Sequence, residues 1–367
     1  MSKDEILDSA CRRTGLSDWG DERFLTPLDI LVKALESEAQ LNPCGRALMR
    51  ALLTVCVENR LRLRRYVAKH PDALGNPLAP CLIVVGMPRT GTTLLYNLLA
   101  QDQAARPLLG WESLSPAPNA GNARVDWRPL KAHAVDMMMS YAADDLRHIH
   151  PFSVKAPEEC TWLMANTLAS WAFSLFAYVP SYEEWLWGLG DTAWVDVYRE
   201  YRMQLLVLQH QRPGVHWVLK SPVHLMSLGP LLETIESARV VLTERDPVET
   251  VPSTCSLFAV MRAISSDQVD RHLLGSDVVK RLSEGMRRAD AALTAQPRRL
   301  TKIQFRDLVT DPNGAVRSVY DHFGMDLPAD AQAAMQQWMS ATPHSPTHNY
   351  ELAQFGLTEL EIANKFG

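Results

Sequence analysis

The chain has 367 residues, of which 47 % are hydrophobic, and a formal net charge of −5. This length suits one large domain, or one domain with a substantial appendage, and the hydrophobic fraction excludes a largely disordered chain. The negative charge argues against a bulk nucleic-acid binder, which is usually basic, but it leaves room for a local basic site that binds a small anion.

The first residues read Met-Ser-Lys-Asp-Glu, with charged groups at once and no apolar run of the kind a signal peptide carries. None of the six cysteines stands in a Cys-x-x-Cys pair, so we expect free thiols and no zinc site of the kind such pairs form. Both features predict a protein of the cytoplasm.

Residues 1–78 carry helical patterns. Apolar residues recur at three- and four-residue intervals over Pro27–Leu35 and again over Arg46–Lys69. A turn-rich break follows at 70–77, where proline, glycine and asparagine cluster. We therefore expect an N-terminal helical segment that ends near residue 78.

Short apolar runs after residue 79 predict buried strands. They lie at Cys81–Gly86, Trp217–Lys220, Arg239–Glu244 and Leu300–Phe305, and helical patterns such as Pro312–Phe323 and Ala329–Met339 separate or follow them. Alternating strands and helices are typical of an α/β fold with a central parallel sheet flanked by helices. We assign that domain, with a docked C-terminal tail, to residues 79–367.

The stretch Cys160–Tyr182 contains no charged residue and is long enough to span a bilayer. Its polar residues, such as Asn166 and Ser170, and its missing basic flanks favour a buried helix instead. Five of the ten tryptophans lie at positions 162, 171, 185, 187 and 194. They are either ordinary core or the wall of an apolar pocket.

A glycine-rich loop follows the first predicted strand and precedes a helix. It contains the segment Pro88-Arg89-Thr90-Gly91-Thr92-Thr93. Its two glycines have P-loop spacing, but Thr92 replaces the lysine that reaches the phosphates in nucleotide triphosphatases. Arg89 supplies the cation instead, and a guanidinium suits bidentate contact with phosphate or sulfate oxygens. With no acidic metal ligand evident at the end of a strand, we expect anion binding without a metal.

Two further cationic segments follow strands. Lys220 opens a Lys-x-Pro element at the end of one strand, and Arg245 ends the next. Ser253 lies eight residues beyond Arg245. Ligands in open α/β sheets bind at the carboxyl ends of strands, so Arg245 is a candidate for a second anion site.

From about residue 80 onward the chain resembles the family of sulfotransferases that use 3′-phosphoadenosine-5′-phosphosulfate (PAPS), with features of the bacterial and tyrosylprotein branches. The resemblance implies a P-loop-type three-layer fold and PAPS as co-substrate. By resemblance, Arg89, Thr90, Gly91, Thr92 and Thr93 bind the 5′-phosphosulfate, Arg245 and Ser253 bind the 3′-phosphate, and Lys220 and Arg89 act in transfer. The C-terminal Arg-Lys-Gly element of the cytosolic branch is absent.

The group that takes the proton from the acceptor hydroxyl is harder to assign. Glu112 follows the loop helix, as the catalytic glutamate does in the tyrosylprotein branch, and its neighbour Trp111 could raise its pKa. Glu112 could equally be a surface residue or a helix cap. The rivals are His148, His150 and Glu158.

The sequence thus predicts transfer of a sulfuryl group from PAPS to a hydroxyl of a small, largely apolar acceptor such as an alcohol, sterol or phenol. We expect no nucleic-acid partner and no transmembrane segment, while peripheral membrane contact and oligomerisation stay open. One alternative is a P-loop kinase acting on a small molecule, which would need magnesium and a loop lysine. The other is a nucleotide-binding protein without catalysis.

Overall fold

The computed structural model describes residues 1–119, 126–142, 153–342 and 351–367. The strands are β1 (Cys81–Gly86), β2 (Ala105–Pro107), β3 (His216–Lys220), β4 (Ala238–Glu244) and β5 (Leu300–Gln304). The α-helices are α1 (Lys3–Thr14), α2 (Leu25–Ser37), α3 (Pro43–Lys69), α4 (Thr92–Leu99), α5 (Gly110–Leu114), α6 (Arg128–Ala142), α7 (Thr161–Ala165), α8 (Pro180–Gly188), α9 (Asp191–Gln211), α10 (Leu228–Thr234), α11 (Pro247–Ser265), α12 (Arg271–Ala295), α13 (Phe305–Thr310), α14 (Pro312–His322), α15 (Ala329–Ala341) and α16 (Glu359–Phe366). Short 3₁₀ helices cover Glu22–Phe24, Pro71–Leu74, Phe173–Leu175, Pro222–Ser227 and Leu352–Phe355.

The chain divides into two compact units. The first comprises Met1–Leu78, Leu109–Pro213 and Phe258–Val269, and the second comprises Ala79–Leu108, Gly214–Leu257 and Asp270–Gly367. All five strands lie in the second unit. The division into segments 1–78 and 79–367 stays a prediction.

The sheet of the second unit has the order β2-β3-β1-β4-β5, and every neighbouring pair is parallel. This confirms the α/β fold class and all four predicted strands. The three-residue β2, missed in the sequence, was too short to show a pattern. Because β1 lies between β3 and β4, the carboxyl ends of these three strands meet at one edge of the sheet.

Helices cover both faces of this sheet. On one face, Leu82 and Val84 of β1 join a core cluster with Leu95 of α4, Val319 of α14 and Met335 of α15. On the other face, the 3₁₀ turn Pro222–Ser227 contacts β1 and also α12. Three layers follow, as expected for a P-loop-type fold.

The C-terminal tail packs on α12. Phe355 is buried, and a Cβ on Gly275 of α12 would lie 2.3 Å from the Phe355 carbonyl oxygen. Gly275 therefore permits a close approach of the two backbones.

The first unit is helical, as predicted for residues 1–78. Helix α3 starts where the Asn42 side chain accepts a hydrogen bond from the Gly45 N–H, with Pro43 in the first turn. It packs on α9 through the buried residues Leu63 and Val207. Arg60 of α3 adds a two-pronged ion pair to Glu200 of α9, with N–O distances of 2.6 and 3.0 Å.

The predicted buried helix over Cys160–Tyr182 is wrong: the segment is buried but only Thr161–Ala165 and the end of the stretch are α-helical. The Thr167 hydroxyl donates to the Met164 carbonyl, and Leu168 has a φ of 62°. The Tyr182 hydroxyl then accepts from the Ser170 N–H and donates to the Leu168 carbonyl, at 2.9 and 2.7 Å. Side chains that bond to the backbone in this way replace helical hydrogen bonds. Within the described ranges, no helix has both the length and the apolar character needed to cross a membrane.

Candidate functional site

The loop between β1 and α4 depends on unusual backbone angles in the second unit. Gly86 has a φ of 155°, and a Cβ there would lie 2.3 Å from the Thr243 hydroxyl oxygen. Gly91 has a φ of 88° and Arg89 a φ of 71°, both in the region that L side chains rarely adopt. The strained Arg89 backbone is the kind of feature found at binding sites.

The loop ends at an open helix terminus. Helix α4 begins at Thr92, and Gly91 before it provides no side-chain cap for the first N–H groups. Such a terminus favours an anion through its N–H groups and dipole. Thr93 is exposed there, whereas Thr90 is buried, bonding to the Met87 carbonyl and to the Thr243 hydroxyl at 2.7 and 2.6 Å. The Thr90 hydroxyl therefore shapes the loop.

Lys220 reaches the loop from the end of β3. Its ammonium group lies 3.4 Å from the Thr93 hydroxyl oxygen, although the residue is 2 % exposed. The next residue, Ser221, donates its N–H to the Val84 carbonyl of β1 at 3.2 Å, which extends the strand pairing to this point. A buried cation beside an open helix terminus strengthens the site for an anion.

The Arg245 segment meets the same loop from the β4 side. Arg89 donates from Nε to the Ser253 hydroxyl at 3.2 Å, and Arg245 donates to the Arg89 carbonyl at 3.4 Å. The structure thus brings together three sequence segments that were predicted separately, around residues 89, 220 and 245.

Three residues that contact Thr90 or Arg245 were not among the residues that the sequence predicted for the site. Thr243 bonds to Thr90, the Phe305 ring lies 4.3 Å from the Arg245 guanidinium carbon, and Glu249 forms an ion pair with Arg245 at 2.7 Å. Glu249 stands four residues after Arg245 at the start of α11, a spacing that could have indicated the pair.

Glu112 lies in the first unit, in the short helix α5, and is 1 % exposed. Its carboxylate accepts the Leu109 N–H at 3.0 Å, which caps the helix. Both oxygens also accept hydrogen bonds from Arg212, each at 3.1 Å. Glu112 therefore makes a helix-capping contact, one of the alternatives that the sequence left open, and it is not a surface residue. The guanidinium that holds its buried carboxylate was not indicated by the sequence.

A family model described as "Sulfotransferase family" matches residues 80–329 of this chain. The chain belongs to the sulfotransferase family. The match starts just before β1 and includes the loop, Lys220 and the Arg245 segment, so the family assignment rests on the part of the chain that forms the site.

Named relatives of this sulfotransferase agree with that assignment. The omega-hydroxy-beta-dihydromenaquinone-9 sulfotransferases Stf3 of Mycobacterium bovis and Mycobacterium tuberculosis are each 27 % identical over 293 residues, or 74 % of this chain and 70 % of the relative. The crystal structure of sulfotransferase STF1 from M. tuberculosis H37Rv has a TM-score of 0.87 and 28 % identity, covering 100 % of this chain and 98 % of that one. Sulfotransferase STF9 from Mycobacterium avium has a TM-score of 0.89 and 26 % identity, covering 100 % and 95 %.

Of the three rivals to Glu112 as the base, the structure describes one. Glu158 is 5 % exposed, and its Oε1 accepts the Glu159 N–H at 2.8 Å. His148 and His150 lie outside the described residues.

The five tryptophans at positions 162, 171, 185, 187 and 194 fall into two groups. Trp171 and Trp194 are buried, as ordinary core residues are. Trp162, Trp185 and Trp187 are half-buried, and the Trp187 ring lies 4.3 Å from the Trp171 ring. The three half-buried rings keep part of their surface exposed, as residues that line a pocket open to solvent do.

Proposed function

We propose that this sulfotransferase moves the sulfuryl group of PAPS to the hydroxyl of a small, largely apolar acceptor. The observation that carries the proposal is the convergence of Arg89, Lys220 and Arg245 on one loop at the carboxyl edge of the sheet. A donor with two separate anionic ends needs two cationic subsites, and PAPS has a phosphosulfate at one end and a 3′-phosphate at the other.

The two subsites divide as the family resemblance implies. The backbone from Arg89 to Thr93 and the terminus of α4 would hold the 5′-phosphosulfate, with Thr92 and Thr93 as further donors. Arg245 and Ser253 would hold the 3′-phosphate. Arg89 belongs to the loop and its side chain also contacts Ser253, so it can act at both ends of the donor.

Transfer is an in-line displacement at sulfur. The acceptor oxygen forms a bond to sulfur, the bond from sulfur to the bridging oxygen breaks, and adenosine 3′,5′-bisphosphate leaves with the electron pair. Negative charge grows on the bridging oxygen, and the Lys220 ammonium beside Thr93 would stabilise it. A preorganised donor at such a position lowers the activation barrier by about 3–4 kcal/mol.

The acceptor hydroxyl loses its proton during this step, and Glu112 is our candidate to take it. A base of this kind contributes about 10²–10⁴-fold to the rate. For this role the Glu112 carboxylate must give up one of its hydrogen bonds to Arg212 to meet the acceptor. Glu158 remains the described rival.

The apolar acceptor class is supported by two features. The Stf3 relatives are named for omega-hydroxy-beta-dihydromenaquinone-9 as their acceptor, a hydroxylated menaquinone derivative. The half-buried Trp162, Trp185 and Trp187 present aromatic faces that suit an acceptor of low polarity. An alcohol with a long apolar body fits both features better than a sugar.

The first test is calorimetric titration of the whole protein with adenosine 3′,5′-bisphosphate and with ADP, each with and without magnesium. We expect the bisphosphate to bind more tightly than ADP and independently of magnesium. Replacing Arg89 or Arg245 by alanine removes a charge-assisted hydrogen bond, worth about 1.5–3 kcal/mol, and should weaken bisphosphate binding roughly 10–100-fold. Arg287→Ala is the matched control, because Arg287 is an exposed arginine that pairs with Glu284 on α12.

The contrary results are distinct. Preference for ADP with magnesium would replace the proposal by the kinase alternative. Tight bisphosphate binding with no sulfuryl transfer from PAPS to any alcohol, sterol or phenol would replace it by the non-catalytic alternative. Lys220→Ala separates transfer from binding, since it should lower the rate far more than the affinity for the bisphosphate.

A further inference from the structure

Three potential metal ligands meet at one end of the helical first unit. One ligand atom from each of His70, Asp72 and His210 lies within 4.8 Å of the others. The three residues come from two parts of the chain about 140 positions apart, so the fold, and not a local sequence motif, brings them together. None of the three belongs to the anion site described above.

Local structure fixes the position of each ligand. His70 ends α3, and its N–H donates to the Tyr66 carbonyl at 2.9 Å. Asp72 follows in the 3₁₀ turn Pro71–Leu74, which the Ala73 N–H closes by donating to the His70 carbonyl at 3.0 Å. His210 lies in the last turn of α9. Two helix ends and one turn therefore present the donors.

The two side chains nearest each other already have the spacing of ligands on one ion. His210 Nε2 and Asp72 Oδ2 are 3.1 Å apart, and the His70 ring centroid lies 5.5 Å from that of His210. His70 and Asp72 are exposed and His210 is about a quarter exposed, at 25 %. An ion can therefore enter from solvent, and the exposed side chains can adjust by the small rotations that coordination needs.

Tyr66 provides the outer contact that a metal-bound histidine usually has. Its hydroxyl lies 2.8 Å from His210 Nδ1, and its ring packs 4.6 Å from that of His70. In the tautomer in which Nδ1 donates to Tyr66, Nε2 of His210 offers its lone pair to a metal, and the metal would then replace the direct contact between Nε2 and Asp72. Metal-ligating histidines are typically oriented by such a hydrogen bond from the other ring nitrogen.

We propose that His70, Asp72 and His210 form a zinc site that ties the end of α3 to the end of α9. Two imidazoles and one carboxylate are a donor set that Zn²⁺ accepts, with water as the fourth ligand of a tetrahedron. The nitrogen donors disfavour Mg²⁺ and Ca²⁺, which bind through oxygen. Binding stabilises the folded first unit, because the ligands are assembled only in the native state. The proposal is independent of the sulfotransfer reaction.

The test uses the full chain, stripped with EDTA and dialysed free of chelator, and ZnCl₂ as the titrant in calorimetry. We expect one zinc per chain at this site and a rise in Tm on saturation. Asp72→Asn keeps a hydrogen-bond acceptor for His210 but removes the anionic ligand, and His70→Gln removes an imidazole. Each should weaken zinc binding at least about tenfold, and Tyr66→Phe should weaken it about 10–100-fold through the outer contact. His133→Gln, a change at an exposed histidine of α6 in the same unit, should leave it unchanged.

Co²⁺ titration gives a second readout, because a tetrahedral site with histidine ligands produces visible absorption that zinc then abolishes. The proposal is overturned if Asp72→Asn and His70→Gln bind zinc as the unchanged chain does, or if His133→Gln weakens binding as much as they do. Zinc binding without any rise in Tm would overturn the role as a tie between α3 and α9.

Discussion

The guanidinium of Arg212 holds both carboxylate oxygens of Glu112, with Nε 3.1 Å from Oε1 and Nη2 3.1 Å from Oε2. Glu112 is 1 % exposed and Arg212 is 40 % exposed, so the arginine lies between the buried carboxylate and solvent. A guanidinium in this geometry fixes the direction of the carboxylate. The pair can therefore prepare a base for the acceptor hydroxyl, or simply stabilise α5.

The change Glu112→Gln distinguishes these two roles. If Glu112 is the base, kcat should fall by about 10²–10⁴-fold, and the acidic limb of the pH–rate profile should vanish. The affinity for adenosine 3′,5′-bisphosphate should stay the same, because no proton moves in binding it. The measurement is steady-state transfer from PAPS across pH, paired with calorimetry of the bisphosphate.

Arg212→Gln serves as the companion variant. It leaves the Glu112 carboxylate buried without its main partner, and such a loss typically costs about 3–5 kcal/mol, less here because Arg212 is partly exposed. A purely structural Glu112 would show a fall in Tm in both variants and an unchanged kcat in whichever protein remains folded. That result would leave Glu158, His148 and His150 to be tested in the same way.

Glu249 offers a prediction about the affinity of the proposed 3′-phosphate subsite at Arg245. Its carboxylate pairs with Arg245 at 2.7 Å and is 56 % exposed, so it competes with an incoming phosphate for the same guanidinium. Glu249→Gln removes this competition, and an exposed pair contributes about 0.2–1 kcal/mol. We expect bisphosphate to bind roughly two- to fivefold more tightly, and the gain to shrink at high salt.

The matched control for that experiment is Glu284→Gln, which removes the same charge from a carboxylate that pairs with Arg287 and Arg288 on α12. Calorimetry at two salt concentrations provides the comparison. Equal gains in the two variants would reduce the effect to net charge. Weaker binding in Glu249→Gln would mean that Glu249 positions Arg245 for the phosphate instead of competing with it.

The sheet and its loop could be predicted because local pattern determines them. Cys81–Gly86 is a continuous apolar run, and a strand buried on both faces needs nothing else. The positions of Arg89, Lys220 and Arg245 followed from strand ends, since the parallel order places those ends at one edge.

What could not be predicted depends on contacts between distant residues. Arg212 lies 100 positions from Glu112, and nothing in its sequence surroundings indicates a partner. The prediction of one helix over Cys160–Tyr182 was wrong for a related reason. Its apolar composition favours a helix, whereas the bonds from Tyr182 to Leu168 and Ser170 that replace the helix appear only when the chain is folded.

His216 predicts how stability responds to pH. It begins β3 at 7 % exposure, and burial lowers its pKa from the ordinary value of 6.5, with Asp102 opposing the shift. The unfolded chain therefore takes up the proton first, so the contribution of the neutral folded form is present above about pH 6.5 and is lost as the pH falls below it. We expect the free energy of unfolding to fall by up to about 1.4 kcal/mol per pH unit in that window from this group alone.

Urea unfolding between pH 7.5 and 5.5 measures this contribution by difference with His216→Gln, which cannot take up the proton. The variant should lose less stability over the interval than the unchanged chain. His322→Gln, at an exposed histidine of α14, should show the unchanged pH dependence. Parallel curves for the chain and His216→Gln would contradict the buried neutral imidazole.

Gly86 predicts the cost of disturbing the loop at its start. Alanine there would place a Cβ 2.3 Å from the Thr243 hydroxyl oxygen, and it would have to adopt a φ of 155°. Backbone strain and overpacking each cost about 1–3 kcal/mol, so Gly86→Ala should destabilise the second unit by roughly 3 kcal/mol and weaken bisphosphate binding. Gly229→Ala is the control, since a Cβ at that position of α10 would meet no atom within 4 Å. Adding Thr243→Ala to Gly86→Ala removes the 2.3 Å contact, but the Thr243 carbonyl oxygen and the Thr90 hydroxyl oxygen still lie 2.8 Å from the new Cβ, and the backbone angle is unchanged. Urea unfolding should therefore recover only part of the loss. Full recovery would assign the whole cost to the Thr243 side chain, and no loss in Gly86→Ala would mean that the loop start does not need glycine.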